Sequence, residues 1–520
     1  MQSSMVRTRV DWQYTAERAT DSSLSIVNGT YWPRGKLLGG SGAINGMQYI
    51  RGNRKNYDDW AKLGNHGWSW REVLKYFKKS ENNKVPEIVN GNGGKYHGVG
   101  GYMTIDHFSA TTPYHDILKR ATKEAGFNQL LEFNAEDHIG YSLFQYNIEG
   151  ATRDSSAKAF LNPIQNRPNL HIIKNAFVVS LLYGPGNVVQ GVDMIIGDRA
   201  NLRAMARKEV ILSAGTVNTP QLLMLSGIGK REDLEPLKIP LRAELSVGEN
   251  LQDHVFVPIF YSLGKLISDI EQIESKMLID LFEFTLLNRS QPVTYDRVIS
   301  IVGFANTKSK TAIFPDIQFL NMFLAKEDID AIQFFEGIGY ETNILDSLTE
   351  SVEQQDVVAV LVTGIQPRSR GKIRIKSTNP YRHPSIETGY FSDHDDLDVL
   401  RRGIRIQQKL FETETFKDYQ TEPVVLSIAD CDQLQYDSDD YWDCYIRHMS
   451  TTLYHPVGTA KMGPKTDPDA VVDEQLRVYG VSGLRVVDAS IMPTITSGNT
   501  NAPTVMIAEK ACDMIKTTHL

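Results

Sequence analysis

Two segments of this 520-residue chain each predict a short buried strand, a tight turn and a helix, the unit from which α/β sheets are built. In the first segment Val210–Leu212 forms the strand. Because proline is tolerated in a first helical turn, a helix is predicted to begin at Thr219-Pro220, and Gly227 is predicted to end it. The fold class that follows is α/β.

The second unit lies near the carboxyl terminus. Its predicted strand is Leu484–Val487, its turn Asp488–Ser490 and its helix Pro503–Ile515, with Asn501 near the helix cap. Free amides and the positive end of the helix dipole favour anionic groups at such a helix start. An anion-binding end and an ordinary capped core helix are both open interpretations of this segment.

Elsewhere the pattern predicts fewer elements. Helices are expected at Trp70–Lys79 and Asp393–Lys409, and a glycine-rich surface loop at Asn90–Gly101. Alternation in Gly371–Lys376 predicts a half-exposed strand with its isoleucines inward and its basic side chains in solvent. Residues 265–355 mix apolar and acidic stretches and give no clear prediction.

Charge and composition exclude several kinds of function. The net charge is −8 and the pI about 5.9, so no basic surface for nucleic acid or an anionic membrane is expected. The longest apolar run, Val357–Val362, has six residues, far short of the roughly 18 that cross a bilayer. No Gly-x-Ser-x-Gly elbow is present, which excludes a serine hydrolase of that type. A small neutral or polar molecule is the expected partner.

Cysteine content and terminal sequence leave the compartment open. The three cysteines, Cys431, Cys444 and Cys512, cannot form a disulfide framework, although two of them could pair. The first residues contain no apolar core of a secretory signal, so either the protein is cytosolic or its start is missing. Glycosylation triplets at Asn28 and Asn288 are about as frequent as chance gives in a chain of this length.

Four ordered motifs span the chain. They are Gly35–Asn53 (GKLLGGSGAINGMQYIRGN), Gly215–Gly229 (GTVNTPQLLMLSGIG) with Val247–His254 (VGENLQDH) downstream, Tyr454–Gly463 (YHPVGTAKMG) and Leu484–Thr504 (LRVVDASIMPTITSGNTNAPT). Together they resemble the glucose-methanol-choline (GMC) family of flavin-dependent oxidoreductases, most closely its insect glucose dehydrogenase-like members. The resemblance implies an α/β (α+β) fold with a Rossmann-like FAD-binding domain and a substrate-binding domain built on a mixed or antiparallel sheet.

The resemblance also implies a division of the chain. Residues 1–254 are expected to be mainly FAD-binding, 255–370 to form a substrate cap, and 371–520 to form the C-terminal part, of which 471–520 returns to the FAD domain.

FAD is the cofactor that the resemblance implies. Glycines at 39 and 40 allow a flat ring to approach the backbone closely, although a simple tight turn explains them equally. By resemblance, the backbone of Val178 lies near the adenine, and Asp488-Ala489 near the phosphate and ribityl groups. The full set of implied FAD contacts is Gly39, Gly40, Ser41, Asn45, Gly46, Met47, Val178, Asp488, Ala489, Asn501, Ala502 and Pro503. No metal site is expected.

Alcohol oxidation by hydride transfer needs a base for the hydroxyl proton and a group that hydrogen-bonds the developing alkoxide. The resemblance implies His455 as the base and Asn501 as the alkoxide partner, with Asn499 the neighbour that could be confused with it. Without its flanking motif, a histidine before proline is equally explained as a structural residue. A neutral imidazole with an ordinary pKa of about 6.5 suits the role of base.

The implied activity is oxidation of a primary or secondary alcohol, a sugar or a sterol-like hydroxyl, with a quinone or another acceptor reoxidising the flavin. An extracellular location is implied too, together with a Cys431–Cys444 pair, for which free buried thiols are the alternative. A flavin-free remnant that retains the substrate domain, and a lyase on the same fold, are the alternative functions.

One part of the family pattern is absent from the sequence. No Gly-x-Gly-x-x-Gly turn for a pyrophosphate occurs, and the 34 residues before Gly35 are too few for the first βαβ unit. The FAD-binding domain is therefore predicted to be incomplete at its N-terminus, with unpaired strand edges and exposed apolar surface. Either the sequence is a fragment, or flavin binding by this product is weakened or lost.

Overall fold

Two hydrophobic cores organise the protein. The computed structural model describes residues 5–107, 113–150, 152–197, 199–267 and 301–520. One core surrounds an antiparallel sheet, and the other surrounds a parallel strand pair and the C-terminal helix Asn501–His519. The predicted α/β (α+β) class is confirmed. The two cores draw on interleaved parts of the chain, and the division at residues 254 and 370 stays a prediction.

The antiparallel sheet is the one expected for a substrate-binding domain. Its strands, in spatial order, are Thr421–Pro423, Val255–Leu263, Asp356–Gly364, Ile317–Leu324, Ile301–Ala305 and Gly140–Leu143, and Thr451–Thr452 also pairs with Val255–Leu263. Val255–Leu263 is buried at all its positions because both of its faces are covered. The helix Asp395–Phe411 lies close to the sheet at Gly403, where a Cβ would come within 2.1 Å of Ile317 Cδ1.

The parallel pair joins the two predicted units. Val210–Leu212 and Leu484–Val486, the strands of the two predicted units, pair in parallel. They form a sheet of two strands in the part of the chain that is described, and Ile211 is 42% exposed. Ile211 lines the cavity described below, and the incomplete sheet stays a prediction.

The first α/β helix begins earlier than predicted. It spans Gly215–Leu225, so Pro220 lies inside it rather than in its first turn. A proline removes the amide that would donate to the carbonyl four residues back, here that of Thr216. The hydroxyl of Thr459 donates to this carbonyl instead, at 2.7 Å. The end at Gly227, whose φ is 86°, is as predicted.

Thr459→Val is expected to reduce the free energy of unfolding by about 1–3 kcal/mol, because the buried Thr216 carbonyl loses its partner. Urea unfolding of Thr459→Val and of Thr459→Ser, which keeps the hydroxyl, measures the effect. Equal urea midpoints for the two variants would show that this hydrogen bond does not compensate the proline.

The other predicted helices are present with shifted ends. Trp70–Ser80 ends one residue later than predicted, and Ser69 and Glu72 form a capping box at its start. Asp395–Phe411 begins two residues later than predicted. Asn501–His519 begins two residues earlier and ends four residues later than predicted, so Asn501 is its first residue rather than its cap.

The basic face of the predicted strand at 371–376 is only partly free in solvent. The strand itself is Lys372–Arg374, with Ile373 fully buried. Arg374 is only 15% exposed and forms ion pairs with Asp233, at 2.7 Å, and with Glu249. For Arg374 the prediction of a solvated side chain was wrong, because its two carboxylate partners come from residues more than a hundred positions earlier in the chain. The side chains of Lys372 and Lys376 are 43% and 39% exposed, as predicted.

The remaining elements complete the architecture. The other helices are Arg54–Lys62, Pro86–Val89, Pro113–Glu124, Arg231–Leu234, Ile329–Ile338, Thr342–Gln354, Glu414–Lys417 and Asp439–Met449, with a π-helical turn at Ala157–Leu161. The other strands are Tyr14–Thr15, Tyr31–Trp32, Glu81–Asn83, Met103–Asp106, Tyr146–Glu149, Thr152–Arg153, Ala176–Tyr183, Val189–Ile196, Arg199–Met205, Lys372–Arg374 and Ser385–Glu387. Short 3-10 turns occur at Gly40–Ala43, Asn92–Lys95, Asn162–Ile164, Pro185–Asn187, Glu235–Leu237 and Ala489–Ile491. Among the described helices, none is long and apolar enough to cross a membrane.

Cys431 and Cys444 form a disulfide, so the alternative of free thiols was wrong. His448 lies within 4.8 Å of both sulfurs. Metal ions bind the thiolate form of cysteine, and two sulfurs joined in a disulfide are not in that form. Cys512 is free and exposed. Of the two glycosylation triplets, Asn28 is exposed, and Asn288 lies outside the described residues.

The glycine-rich loop at 90–101 is not wholly a surface loop. His97 is buried between two carboxylates, with Nδ1 2.8 Å from Glu81 and Nε2 3.1 Å from Glu132. Glu81 also pairs with the fully buried Arg51 at 2.6 Å. We refer to Arg51, Glu81, His97 and Glu132 as the buried charge cluster. It contains two cationic and two acidic groups, which meets the requirement that buried charges be paired.

The buried charge cluster should make stability depend on pH. Burial lowers the pKa of His97, but the hydrogen bonds that its ring donates to Glu132 and Glu81 outweigh burial and raise the pKa above its ordinary 6.5. The contribution of His97 is therefore complete below pH 6.5 and lost as the pH rises through its folded pKa. Thermal unfolding of the natural protein and of His97→Gln should differ most near about pH 5.5 and least near about pH 9. A difference that is the same at both pH values would contradict a charged His97, and His66→Gln, at an exposed histidine, serves as the control.

Candidate active site

A cavity of about 1030 Å³ lies beside the parallel strand pair and the C-terminal helix. Ten of the twelve predicted FAD contacts line it, together with His455. These ten are Gly39, Gly40, Ser41, Asn45, Gly46, Met47, Val178, Asp488, Ala489 and Asn501. The structure therefore brings together residues from all four motifs, which span more than 450 positions of the chain.

Two predicted contacts, Ala502 and Pro503, do not line the cavity. Both are buried in the helix start, and Ala502 is 1% exposed in the second core. Since the helix begins at Asn501, the helical period turns these two residues toward the core, while Asn501, Thr504 and Val505 face the cavity.

Glycines leave room along one wall of the cavity. At Gly40, whose φ is 54°, an added Cβ would meet no atom within 4 Å, and the same holds for Gly215 in the first helix. A Cβ at Gly42 would lie 3.1 Å from Asn501 Nδ2, so a side chain at this position would crowd the first residue of the C-terminal helix. A flat ring can therefore approach this backbone, as the resemblance implies for the flavin.

Asp488 fixes the two turns that border the cavity. Its Oδ2 accepts from the amide of Gly215 at 2.9 Å and from the hydroxyl of Thr219 at 2.6 Å. Its Oδ1 accepts from the amide of Ser490 at 2.8 Å. The carboxylate thus holds the two α/β units together at the cavity edge.

The amide beside His455 is that of Asn499. Asn499 Nδ2 lies 3.2 Å from His455 Nε2, and both residues line the cavity. Asn501 lies instead against Gly42, at the first position of the helix. Of the two asparagines it is therefore Asn499, in the loop before the helix, that faces His455. The assignment of the alkoxide partner stays a prediction.

The other ring nitrogen of His455 contacts a second histidine. His254 Nδ1 lies 2.9 Å from His455 Nδ1, and the two rings are nearly perpendicular, at 89°. Burial, together with the nearby His254 and Arg34, lowers the pKa of His455 well below its ordinary value. Burial also lowers the pKa of His254 to about 3. Both imidazoles are neutral at neutral pH, so His455 is in the form that can accept a proton.

Asp253 holds the backbone of His455. Its Oδ1 accepts from the amide of His455 at 2.9 Å, and its Oδ2 accepts from Tyr390 at 2.6 Å and Thr452 at 2.5 Å. Burial raises the pKa of Asp253 to about 6, although these hydrogen bonds oppose the rise. The Asp253 carboxylate thus holds the backbone of His455 in place.

The residue before His455 has a backbone conformation that is rare for a side chain. Tyr454 has a φ of 66°. Its amide donates to Thr452 at 2.7 Å, and its carbonyl accepts from Arg34, also at 2.7 Å. Such conformations persist when surrounding contacts impose them, and here they set the direction of the His455 ring.

Sequence reasoning missed several residues of this site. Asp253 and His254 close the VGENLQDH segment, Gln48 lies in the first motif, and Asn499 lies in the fourth. Each of these residues lies in one of the motifs, and the sequence offers no other sign of its importance. Their roles depend on contacts between distant parts of the chain.

Comparisons with known proteins identify the family. Two family models, both described as GMC oxidoreductase, match residues 19–256 and 367–508. The chain belongs to the GMC oxidoreductase family, and the predicted resemblance is confirmed. FAD, the cofactor of this family, is the cofactor that fits the cavity.

Individual relatives agree with this assignment. Glucose dehydrogenase [FAD, quinone] of Drosophila pseudoobscura pseudoobscura is 36% identical, over 98% of this chain and 78% of that protein. Ecdysone oxidase of Spodoptera littoralis is 34% identical, over 99% of this chain and 84% of that protein. An FAD-dependent oxidoreductase from Chaetomium thermophilum superposes with a TM-score of 0.79 at 26% identity, over 98% of this chain and 91% of that one.

Proposed function

We propose that the protein oxidises the CH–OH group of an alcohol or sugar-like substrate with FAD. His455 is the base, and Asn499 hydrogen-bonds the developing alkoxide. The observation that supports this is the His455–Asn499 pair, 3.2 Å apart on the wall of a glycine-lined cavity. A hydroxyl oxygen placed between these two side chains would meet a proton acceptor and a hydrogen-bond donor at once.

The residues of the chain then have distinct tasks. His455, neutral through burial, accepts the hydroxyl proton at Nε2. Asn499 donates from Nδ2 to the oxygen as its negative charge develops. FAD, when bound, supplies the acceptor for the hydride that leaves the carbinol carbon. Residues 39–42 and 45–47, Val178, Asp488 and Ala489 line the cavity and would hold it.

The proposal extends to the electron acceptor and to the location of the protein. We propose a quinone or a similar small molecule as acceptor, as the name of the Drosophila relative states for that protein. An extracellular location is proposed because the Cys431–Cys444 disulfide needs an oxidising compartment. The division into an FAD-binding part (1–254 and 471–520) and a substrate part remains part of this proposal.

Binding of FAD to this chain is tested by titration. Gly40→Ala places a methyl group in the proposed ring site and should weaken FAD binding about tenfold or more, which corresponds to about 1.4 kcal/mol. Gly150→Ala is the matched control: its φ of 58° is close to the 54° of Gly40, and its Cβ also meets no atom within 4 Å, but it does not line the cavity. Quenching of FAD fluorescence measures both affinities.

Two results would contradict the proposal. Equal affinities for the two variants would mean that FAD does not lie along Gly40. An unaltered protein that binds no FAD at all would favour the alternative of a flavin-free remnant.

A further inference from the structure

Each ring nitrogen of His455 has its own partner, and the two partners differ in kind. Asn499 faces Nε2 and His254 faces Nδ1. Resting on the proposed function, we infer that Gln48 is a positioning residue for the reaction: through Asn499 it determines which nitrogen of His455 carries the proton. The four side chains Gln48, Asn499, His455 and His254 are called the relay below.

The first step of the relay is the contact between Gln48 and Asn499. Gln48 Oε1 lies 2.8 Å from Asn499 Nδ2, and the same Nδ2 lies 3.2 Å from His455 Nε2. An amide nitrogen has two hydrogens and accepts no hydrogen bond. One hydrogen is therefore directed at Gln48 Oε1 and the other at His455 Nε2, which must be unprotonated to accept it.

The second step lies on the other side of the ring. With Nε2 unprotonated, neutral His455 carries its proton on Nδ1 and donates it to His254 Nδ1 at 2.9 Å. His254 then carries its own proton on Nε2. His254 is fully buried and its ring stands at 89° to that of His455, so its nitrogen points along the plane of the neighbouring ring.

The reverse arrangement of the relay is disfavoured at Gln48. If Asn499 turned its oxygen toward His455, that oxygen would also lie about where Nδ2 now lies, 2.8 Å from Gln48 Oε1. Two carbonyl oxygens at that distance repel each other, so the Asn499 amide can reverse only if the Gln48 amide turns with it. Asn499 Oδ1 is buried and has no hydrogen-bond partner among the described residues, so Gln48 is the neighbour that distinguishes the two ends of the amide.

The consequence concerns the base itself. Only an unprotonated Nε2 can take a proton from a hydroxyl in the cavity, and only an outward Nδ2 can donate to the alkoxide. By accepting one hydrogen bond from Asn499, Gln48 favours an unprotonated Nε2 on His455 and keeps Nδ2 of Asn499 directed outward. Without it the Asn499 amide can turn by 180°, which stabilises a proton on Nε2 and removes the base and the donor together.

Histidine tautomers in the intact chain test this inference without substrate. We would record nitrogen NMR spectra of the ¹⁵N-histidine-labelled protein, with the His455 signals assigned by their loss in His455→Ala. The expected result is a proton on Nδ1 of His455 in the natural protein. Gln48→Leu should produce the Nε2-protonated form in part or in full, whereas Gln48→Glu, which keeps an acceptor, should retain the Nδ1-protonated form.

Flavin reduction provides the second readout. For Gln48→Leu we expect the rate constant of substrate-dependent reduction to fall about tenfold or more, with less than about a threefold change in substrate affinity. Gln408→Leu is the control, since this half-buried glutamine also makes a side-chain hydrogen bond, to Asp437, and lies outside the cavity lining. Thermal unfolding checks that the variants are folded.

The outcomes separate the two proposals. An Nε2 proton on His455 in the natural protein, or an unchanged tautomer in Gln48→Leu, overturns the role of Gln48. The predicted tautomers in a protein that shows no flavin reduction with any alcohol or sugar would support the relay while contradicting the proposed oxidation.

Discussion

His455→Ala is expected to slow the substrate-dependent reduction of bound FAD by about 10²- to 10⁴-fold, because the variant lacks the base that accepts the hydroxyl proton. Asn499→Ala should slow it by about 10²- to 10³-fold, the usual effect of losing one donor to a developing oxyanion. FAD affinity should change little in either variant. Rapid-mixing absorbance measurements under anaerobic conditions give the rate constants and separate them from substrate binding.

The control for these variants is His66→Ala, at an exposed histidine away from the cavity lining. It should reduce FAD at the unaltered rate. A His455→Ala protein that keeps more than about a tenth of the natural rate would contradict the role of His455 as the base. An Asn501→Ala variant that is slower than Asn499→Ala would restore the assignment first expected from the sequence.

The second large effect is expected in the buried charge cluster. Arg51→Met should lower the free energy of unfolding by about 3–5 kcal/mol, because it removes one of the two cationic groups that pair with the buried carboxylate of Glu81. Arg51 is fully buried, and its guanidinium also donates to the carbonyl of Tyr96 at 2.7 Å. Urea unfolding measures the change.

An exposed ion pair provides the comparison for Arg51→Met. Lys417 and Glu414 lie 2.7 Å apart on the surface, and Lys417→Met should leave the urea midpoint nearly unchanged because solvent screens this pair. The double variant Arg51→Met/Glu81→Gln should lose less than the sum of the two single losses, because no unpaired charge is left. Equal effects of Arg51→Met and Lys417→Met would show that the cluster is not a buried ionic network.

Local pattern predicted the strands of the parallel pair well. Val210–Leu212 and Leu484–Val486 are short apolar runs followed by turns, and the chain itself contains that information. The helix after the first strand was placed wrongly because its start depends on Thr459, which supplies a hydrogen bond to the turn that Pro220 leaves open. No local signal reports a contact across 243 positions.

The candidate site was predictable as a set of motifs but not as a set of roles. Asn499 and Asn501 lie two positions apart in one motif, and the residue that faces His455 is decided by where the helix begins. The same helix start turns Ala502 and Pro503 away from the cavity. Asp253 and His254 act through contacts made only after residues some 200 positions apart come together.

Ion pairs were the least predictable feature. The pattern of Gly371–Lys376 indicated basic side chains in solvent, but Arg374 is held by Asp233 and Glu249. His97 belongs to a loop that its glycines marked as surface, yet its ring is buried between Glu81 and Glu132. In both cases the local sequence describes only one member of the ion pair. The other member is brought next to it by the fold.

The most direct test of flavin-dependent alcohol oxidation is the visible flavin spectrum of the protein. It is recorded anaerobically after incubation with FAD and then with a sugar, a simple primary alcohol and a polyhydroxylated sterol in turn. We expect the protein to retain stoichiometric FAD and at least one of these substrates to bleach the flavin absorbance. His455→Ala should show no bleaching over the same time. A protein that remains colourless after incubation with excess FAD, or whose bleaching does not depend on His455, would contradict the proposed oxidation.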